Sequence, residues 1–445
     1  MEQPQHCRSP WLMRPWPGSN RLLLALLLPA LLPFASSHAG QAATEPDAGP
    51  DLYTRTQAQP NLLAKYLFLD DIVANSEDPA EVNRASQSLA FAAAAIGEHR
   101  RAQEAFPFKH RHDDPSTIDA ADYRAIDAVE PIVRAAADHR VVMVNEAHHV
   151  ARTRLLTLHL LHPLRNAGFT HLALETLGKD DVALGERGYA IATSGYYSKE
   201  PVFAELIREA LGLGYVVVPY EYTGDEEGHQ ARETGQARNL AHLLEQAPDA
   251  RVLVHAGYAH IFRNEPASMF GARTMVEELE RMTGLRALTV EQTLLHGHID
   301  PQYDRPEYTA ALSRWLTTHD GSAPARPFVL AGASQSPWSM RPEVFDISVF
   351  GVPPERDQEW RSLDGRRERR LVTAGCGENF PCLVEARRSG EPDTAVPADR
   401  KLLRESGLAE LWLAEGCYRL DTINATGSAR GNRYCTDATT AEASR

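Results

Sequence analysis

Three short stretches end in acids or imidazoles: Val141-Val-Met-Val-Asn-Glu-Ala-His-His149, His171-Leu-Ala-Leu-Glu175 and Val252-Leu-Val-His-Ala-Gly-Tyr-Ala-His260. Each is built on an apolar, partly β-branched run that reads as a buried strand, with ionisable residues at or just past its carboxyl end. In open α/β sheets, ligands bind in the crevice outside that end. The chain is therefore expected to bring at least two carboxylates and two imidazoles to one rim. That is the equipment of general acid–base chemistry or of a metal centre.

Within the rim, Glu146 and His149 are three residues apart, close enough to converge in a tight turn. A neighbouring carboxylate fixes an imidazole's tautomer and raises its basicity. Adjacent histidines cannot both face the same way, so one of His148 and His149 is expected to be structural. Glu175 closes a strand whose interior should be buried, and a buried carboxylate needs a partner. An Arg or a helix N-terminus is the bland partner, and a rim His the functional one. Tyr220 and Glu221 end the next strand and make the same offer. Gly257 permits close backbone approach three residues before His260.

Several chemistries are excluded. Gly332-Ala-Ser-Gln-Ser336 lacks the second Gly of a nucleophile elbow, and neither a His-Glu-x-x-His helix nor a Walker loop occurs. Gly212-Leu-Gly214 follows a helical pattern and precedes a strand, the reverse of a dinucleotide fingerprint. Cysteines are absent between 40 and 375, so no thiol nucleophile serves the rim.

The elements that must position these residues follow from periodicity. Strands are expected at Arg140–Asn145, Thr170–Glu175, Tyr215–Tyr220, Arg251–Ala256, Leu285–Glu291 and Pro327–Ala331. Helical patterns lie between them near 151–167, 200–212, 230–247, 271–283 and 306–318, with Pro163 expected to kink or end the first. Such alternation predicts an α/β fold, a mostly parallel sheet with helices on both faces, over 131–335. Residues 51–130 read as a helical segment, with one apolar stripe through Leu62, Leu63, Tyr66 and Leu67 and another over 82–106. Residues 336–445 read as a small β-rich, disulfide-stapled region with a disordered tail after Cys435.

Arg8, Arg14 and Arg21 precede the apolar run Leu22–Phe34, and Ser37-His-Ala39 offers a cleavage site, so 1–39 reads as a signal peptide and 40–50 as a linker. Pro29 and Pro33 interrupt a run already too short to span a membrane, no Cys follows it to carry a lipid, and no transmembrane helix is expected in the mature chain. The protein is expected to be exported, periplasmic or secreted. A net charge of −14 argues against nucleic acid as a partner. The cysteines left after cleavage are Cys376, Cys382, Cys417 and Cys435. An even count in an exported chain reads as two disulfides, with the local pairs Cys376–Cys382 and Cys417–Cys435 favoured. A zinc knuckle is the alternative, without Cys-x-x-Cys spacing to support it.

Asn145-Glu-Ala-His-His149 resembles the Gly-Glu-x-x-His motif of the erythromycin esterase, ChaN and TIKI/TraB superfamily. Leu174-Glu175 is similar to its second-strand Glu. Ala256-Gly-Tyr-Ala-His-Ile-Phe-Arg263 is similar to its Gly-x-x-His motif, most of all in the ChaN-like form. The motifs keep their order over 130–300. Two positions depart: Asn145 stands where the motif begins with Gly, and Gly257 stands where the esterases carry the first His of His-Asn-x-His. The resemblance implies functional positions at Glu146, His149, Glu175 and His260. It also implies a fold shared by esterases, metal-dependent proteases and haem-binding lipoproteins, which does not choose among those functions.

The reading put first is an exported hydrolase acting on an ester, lactone or amide in a small-molecule or peptide substrate. In it His149 is the general base, oriented by Glu146 or Glu175, and His260 polarises the carbonyl. A variant places a divalent transition metal on His149, Glu175, Glu221 and His260. The alternatives are a haem- or iron-binding protein with Tyr258 or His260 as ligand, and a non-catalytic envelope scaffold.

Overall fold

The computed structural model describes residues 51–436 except 113, 117, 355–358, 364, 373 and 426. The expected signal peptide, the linker and the expected disordered tail after Cys435 lie outside the described residues, except Thr436, which belongs to a strand.

The described residues open with four helices, α1 (Leu52–Gln57), α2 (Leu62–Asn75), α3 (Pro79–Ala95) and α4 (His99–Ala105). Side chains of Asp51, Asn61 and Asp78 cap the first three by accepting from their first-turn amides. The α/β unit follows as β1 (Arg124–Asp127), α5 (Val129–Ala135), β2 (Val141–Glu146), α6 (Arg154–Asn166), β3 (His171–Leu174), α7 (Leu184–Arg187), α8 (Pro201–Gly212), β4 (Val216–Pro219), α9 (His229–Gln246), β5 (Val252–Gly257), α10 (Met275–Thr283), β6 (Leu288–Glu291), α11 (Pro306–Thr318), β7 (Phe328–Ala331) and β8 (Ile347–Ser348). Six of these strands form one parallel sheet in the order β4-β3-β5-β2-β6-β8.

Alternation along β2 sorts its side chains between two cores. Val142 and Val144 pack with Leu156, Leu160 and Leu164 of α6 and with Phe203 and Ile207 of α8. Val141 and Met143 pack with Leu240 and Leu244 of α9 and with Val276 and Leu279 of α10. Helices thus cover both faces, and β2 and β5 can be continuously apolar because neither of their faces meets water.

Three expectations are revised. Pro327–Ala331 forms a strand, β7, but it pairs antiparallel with β1 outside the parallel sheet. The sixth parallel strand is instead β8, so the sheet draws on residues beyond 335. Pro163 sits inside α6, which continues to Asn166. Proline in the last turn removes a single hydrogen bond, and Leu164 is buried beyond it. The helix stops before Gly168 (φ +91°), where Phe169 N–H returns to the Leu164 carbonyl at 2.9 Å.

The C-terminal region is antiparallel. It comprises β9 (Arg367–Val372), β10 (Cys382–Arg388), β11 (Asp399–Leu403), β12 (Leu408–Leu413), β13 (Gly416–Ile423), β14 (Ser428–Ala429) and β15 (Arg433–Thr436). Cys376–Cys382 and Cys417–Cys435 are its disulfides, the latter joining facing residues of β13 and β15. This region docks on α8 through Glu205, which meets Arg366 at 3.0 Å and Arg388 at 2.7 Å. It docks on the helical segment through Leu383 and Leu402, which share a core with Leu63, Leu69 and Leu89. No described helix is long and apolar enough to cross a membrane.

Candidate active site

Strand order places the site. β5 lies between β3 and β2, and Gly257 pairs in register with Glu146. Glu175 follows β3 directly, so Glu146 and Glu175 flank Gly257 at the carboxyl edge of the sheet. A Cβ at Gly257 would overlap the His148 imidazole and stand 3.0 Å from Glu175 Oε2. Glycine is what lets the imidazole lie against the β5 backbone. The residues that follow Glu175 and Gly257, Thr176 (φ 56°) and Tyr258 (φ 43°), are both left-handed, a conformation costing about 1–3 kcal/mol in non-glycine residues.

Glu146 is fully enclosed. Arg154 Nε donates to Oε2 at 2.7 Å, His148 Nδ1 lies 2.7 Å from Oε1, and His255 Nε2 lies 3.2 Å from Oε2. Burial alone would raise its pKa, but Arg154 and His255 overcome that and hold it well below the usual carboxylate range. Arg154 is itself anchored to Glu200 at 2.9 Å, and His255 Nδ1 to Thr157 at 2.9 Å. Since the carboxylate is ionised and can only accept, His148 carries its proton on Nδ1. Its Nε2, the atom that carries the lone pair in the neutral ring, lies 3.9 Å from Glu175 Oε1. Tyr197 stacks on the ring at 3.9 Å, and Phe91 and Tyr258 meet it edge-on.

The two adjacent histidines do diverge, but in the opposite sense to the expectation. His148 joins the carboxylates, and His149 turns away. Its Nδ1 meets the Tyr258 hydroxyl at 3.0 Å, and its ring stacks on Phe106 at 3.7 Å. Burial, reinforced by His296 and His148, keeps His149 well below the ordinary imidazole pKa. The reason is the short path after β2: Val150 N–H bonds the Ala147 carbonyl at 2.7 Å and a 3-10 turn follows over Ala151–Thr153. That turn folds His148 back over the strand end, within reach of Glu146 two residues earlier.

Glu175 and His260 share a second cluster built around Arg232 of α9. Arg232 Nη2 donates to Glu175 at 2.7 Å and to Glu221 at 2.8 Å. Gly257 N–H also bonds Glu175. Burial would raise the Glu175 pKa, but His260, His148 and Arg232 bring it well below the usual range. His260 Nδ1 bonds Glu233 at 2.8 Å. Against burial, Glu233 and Glu175 push the His260 pKa up to about 10. Its Nε2, however, lies 2.9 Å from Arg232 Nη1 and 3.6 Å from Glu175. A guanidinium can only donate, so this contact calls for a neutral ring with its proton on Nδ1, and two cations at that distance would repel. The guanidinium thus favours a lone pair on Nε2, whereas Glu233 and Glu175 favour a proton on the ring.

These contacts revise the metal and haem readings. Among the described residues no group of three or more His, Cys, Asp or Glu is arranged to hold a metal ion. His149 is absent from the Glu175, Glu221 and His260 cluster, and the Arg232 guanidinium occupies the place a cation would take. Tyr258, the other residue assigned to haem, has its hydroxyl on His149. Burial and Glu146 raise its pKa, which opposes a tyrosinate ligand. The donors present do not fit either group.

Sequence reasoning missed Arg154, His255, Arg232, Glu233 and Tyr197. His255 had a readable signal, an imidazole inside an otherwise apolar strand. Glu175 had the other: a buried acid demands a partner, and both the bland partner, Arg232, and the rim imidazole are present.

No protein-family model matches the chain, and no curated protein matches it. Among solved structures it is similar to the type III effector HopBA1, at 16% identity and a TM-score of 0.28 over 42% of this chain and 95% of that one. It is similar also to RRSP, a MARTX toxin effector domain from Vibrio vulnificus, at 17% identity and a TM-score of 0.27 over 48% of this chain and 46% of that one. A structure described as bacterial protein toxins matches at 15% identity and a TM-score of 0.28, over 51% and 53%. Likeness at this level carries no argument about function.

Proposed function

We propose that the protein is an exported hydrolase in which His148, oriented by Glu146, removes a proton from water that attacks an ester, lactone or amide carbonyl. The observation that carries this reading is the buried Glu146–His148 pair, with Nε2 turned toward Glu175 beside the Gly257 backbone. Arg154 keeps Glu146 ionised, so the imidazole holds the tautomer a base needs. Arg232 supplies positive charge for a developing oxyanion, with His260 beside it. The left-handed backbone at Thr176 and Tyr258 supports the assignment, since strain of that kind concentrates at functional sites. Resemblance to the erythromycin esterase, ChaN and TIKI/TraB superfamily supports Glu146, Glu175 and His260; it implies His149 as the imidazole, and the contact of His148 with Glu146 is the reason for choosing His148 instead. Export is supported by the leader-like N-terminus and by the two disulfides.

The test is a panel of ester, lactone and peptide substrates assayed with wild type, His148→Gln and His149→Gln, with folding checked by circular dichroism. His148→Gln should lower kcat by about a hundredfold to ten-thousandfold. His149→Gln should lose markedly less. A larger loss for His149→Gln would return the base to His149, and an inert wild type would remove the hydrolase reading.

A further inference from the structure

We propose that Arg152 and the imidazoles beside it, His149 and His296, bind a small oxyanion, a carboxylate or a phosphate, at a site distinct from the Glu146–His148 pair. Seven arginines are buried among the described residues: Arg152, Arg154, Arg263, Arg361, Arg366, Arg387 and Arg400. Six of them lie within salt-bridge distance of an Asp or Glu. Arg152 is the exception. It is 5% exposed, and its Nη2 donates to the Gln103 side chain at 3.2 Å and to the Gly297 carbonyl. Its Nε is buried with no hydrogen-bond partner. Both of its acceptors are neutral, so the charge is enclosed without a counter-charge in contact. A buried charge in that state is costly unless a ligand completes it.

The surroundings favour an anion and no other class of ligand. His149 uses Nδ1 on the Tyr258 hydroxyl, and His296 places Nδ1 3.2 Å from the Gly297 carbonyl. The Nε2 atom of each ring has no hydrogen bond among the described residues. Both imidazoles are held well below their ordinary pKa, first by burial and then by neighbouring positive groups that include Arg152. An anion would relieve that repulsion and let each ring donate. The nearby acid, Asp304, is engaged by His298 through its backbone N–H at 2.6 Å and its ring at 3.1 Å. His298 is partly exposed and lies 4.6 Å, ring to ring, from His296, so the cluster extends toward the surface. Tyr258 separates this site from His148, bonding His149 on one side and meeting His148 edge-on at 5.0 Å.

The experiment is isothermal titration calorimetry of the full mature protein with sodium phosphate and with sodium acetate, at constant ionic strength set by sodium chloride. Saturable one-to-one binding of at least one anion is expected, and the tighter one assigns the ligand as phosphoryl or carboxylate. Arg152→Met should weaken it by about tenfold to a hundredfold. The same variant should melt no lower than wild type in anion-free buffer, because it removes an unpaired buried charge. His296→Asn provides a second variant with the same expected weakening. His148→Gln should bind the anion as wild type does, which separates this inference from the hydrolase reading. No saturable heat with either anion, or undiminished binding in both Arg152→Met and His296→Asn, overturns the proposal. So does a large loss of melting temperature in Arg152→Met, which would make the arginine a strut for Gln103 and Gly297.

Discussion

Gly257 is the residue on which the spacing of the rim depends. It holds neither a left-handed backbone nor a turn. Its value is the volume that a methyl group would take from the His148 imidazole. Gly257→Ala should therefore push the ring off Glu146 and lower kcat while leaving the strand in place, at a stability cost of about 1–3 kcal/mol from overpacking. Urea unfolding and steady-state kinetics on one preparation check both halves; wild-type kcat would show that the imidazole does not need this position. At this scale the sequence was legible in kind but not in register. Glu146, Glu175 and His260 do reach one edge of the sheet. Which of His148 and His149 accompanies them depends on one tight turn over 147–153, which residue spacing alone does not resolve.

Among the elements, α10 shows how local signals suffice where they are complete. Thr274 and Glu277 form a reciprocal capping box at its start, and Gly284 ends it with φ 70°. Thr274 also bonds the Phe262 carbonyl at 2.6 Å, just after the turn that carries His260. Thr274→Ala should cost about 1 kcal/mol. The loss is read by chemical denaturation, and an unchanged midpoint would mean that the cap does not support the helix. Strands β2 and β5 were equally plain, because continuous apolar runs buried on both faces leave little ambiguity. β7 was misplaced because its apolar run fits a parallel strand as well as an antiparallel one, and only its partner, β1, settles the matter. Arg232 was invisible for a related reason. Nothing in the helical pattern of α9 announces that one of its arginines turns to the rim.

For the molecule as a whole, the enclosed charges set the response to pH. Glu146 and Glu175 have folded pKa values below their unfolded value of about 4.3, so the stability they contribute is present above that pH and lost as pH falls through the folded values. His149 and His296 are also depressed. Their unfolded forms bind protons first, so they begin to destabilise the fold as pH drops below about 6.5. Melting temperature should fall in two stages on acidification, the first reduced in a His149→Gln, His296→Asn double variant, with the remainder carried by His99, which burial also depresses. A single carboxylate-range transition in wild type would show that these rings titrate normally. The second disulfide spans a separation of 18 residues, and replacing Cys417 and Cys435 by Ser should lower stability by about 3 kcal/mol in urea unfolding.

The helical segment over the imidazoles has a consequence in time. Phe91 and Phe106 shield His148 and His149, yet they belong to the part of the chain that is synthesised early. Their own core is closed by Leu383 and Leu402, some three hundred residues later. Local helices form quickly, but a contact between chain ends this distant waits for both to exist and then for loop closure. As the chain emerges N-terminus first, β2, β3 and β5 can pair while the shield still lacks its floor. The carboxyl-edge rim therefore assembles open and is roofed last, so a nascent chain held before residue 383 would leave the His148 imidazole exposed to water.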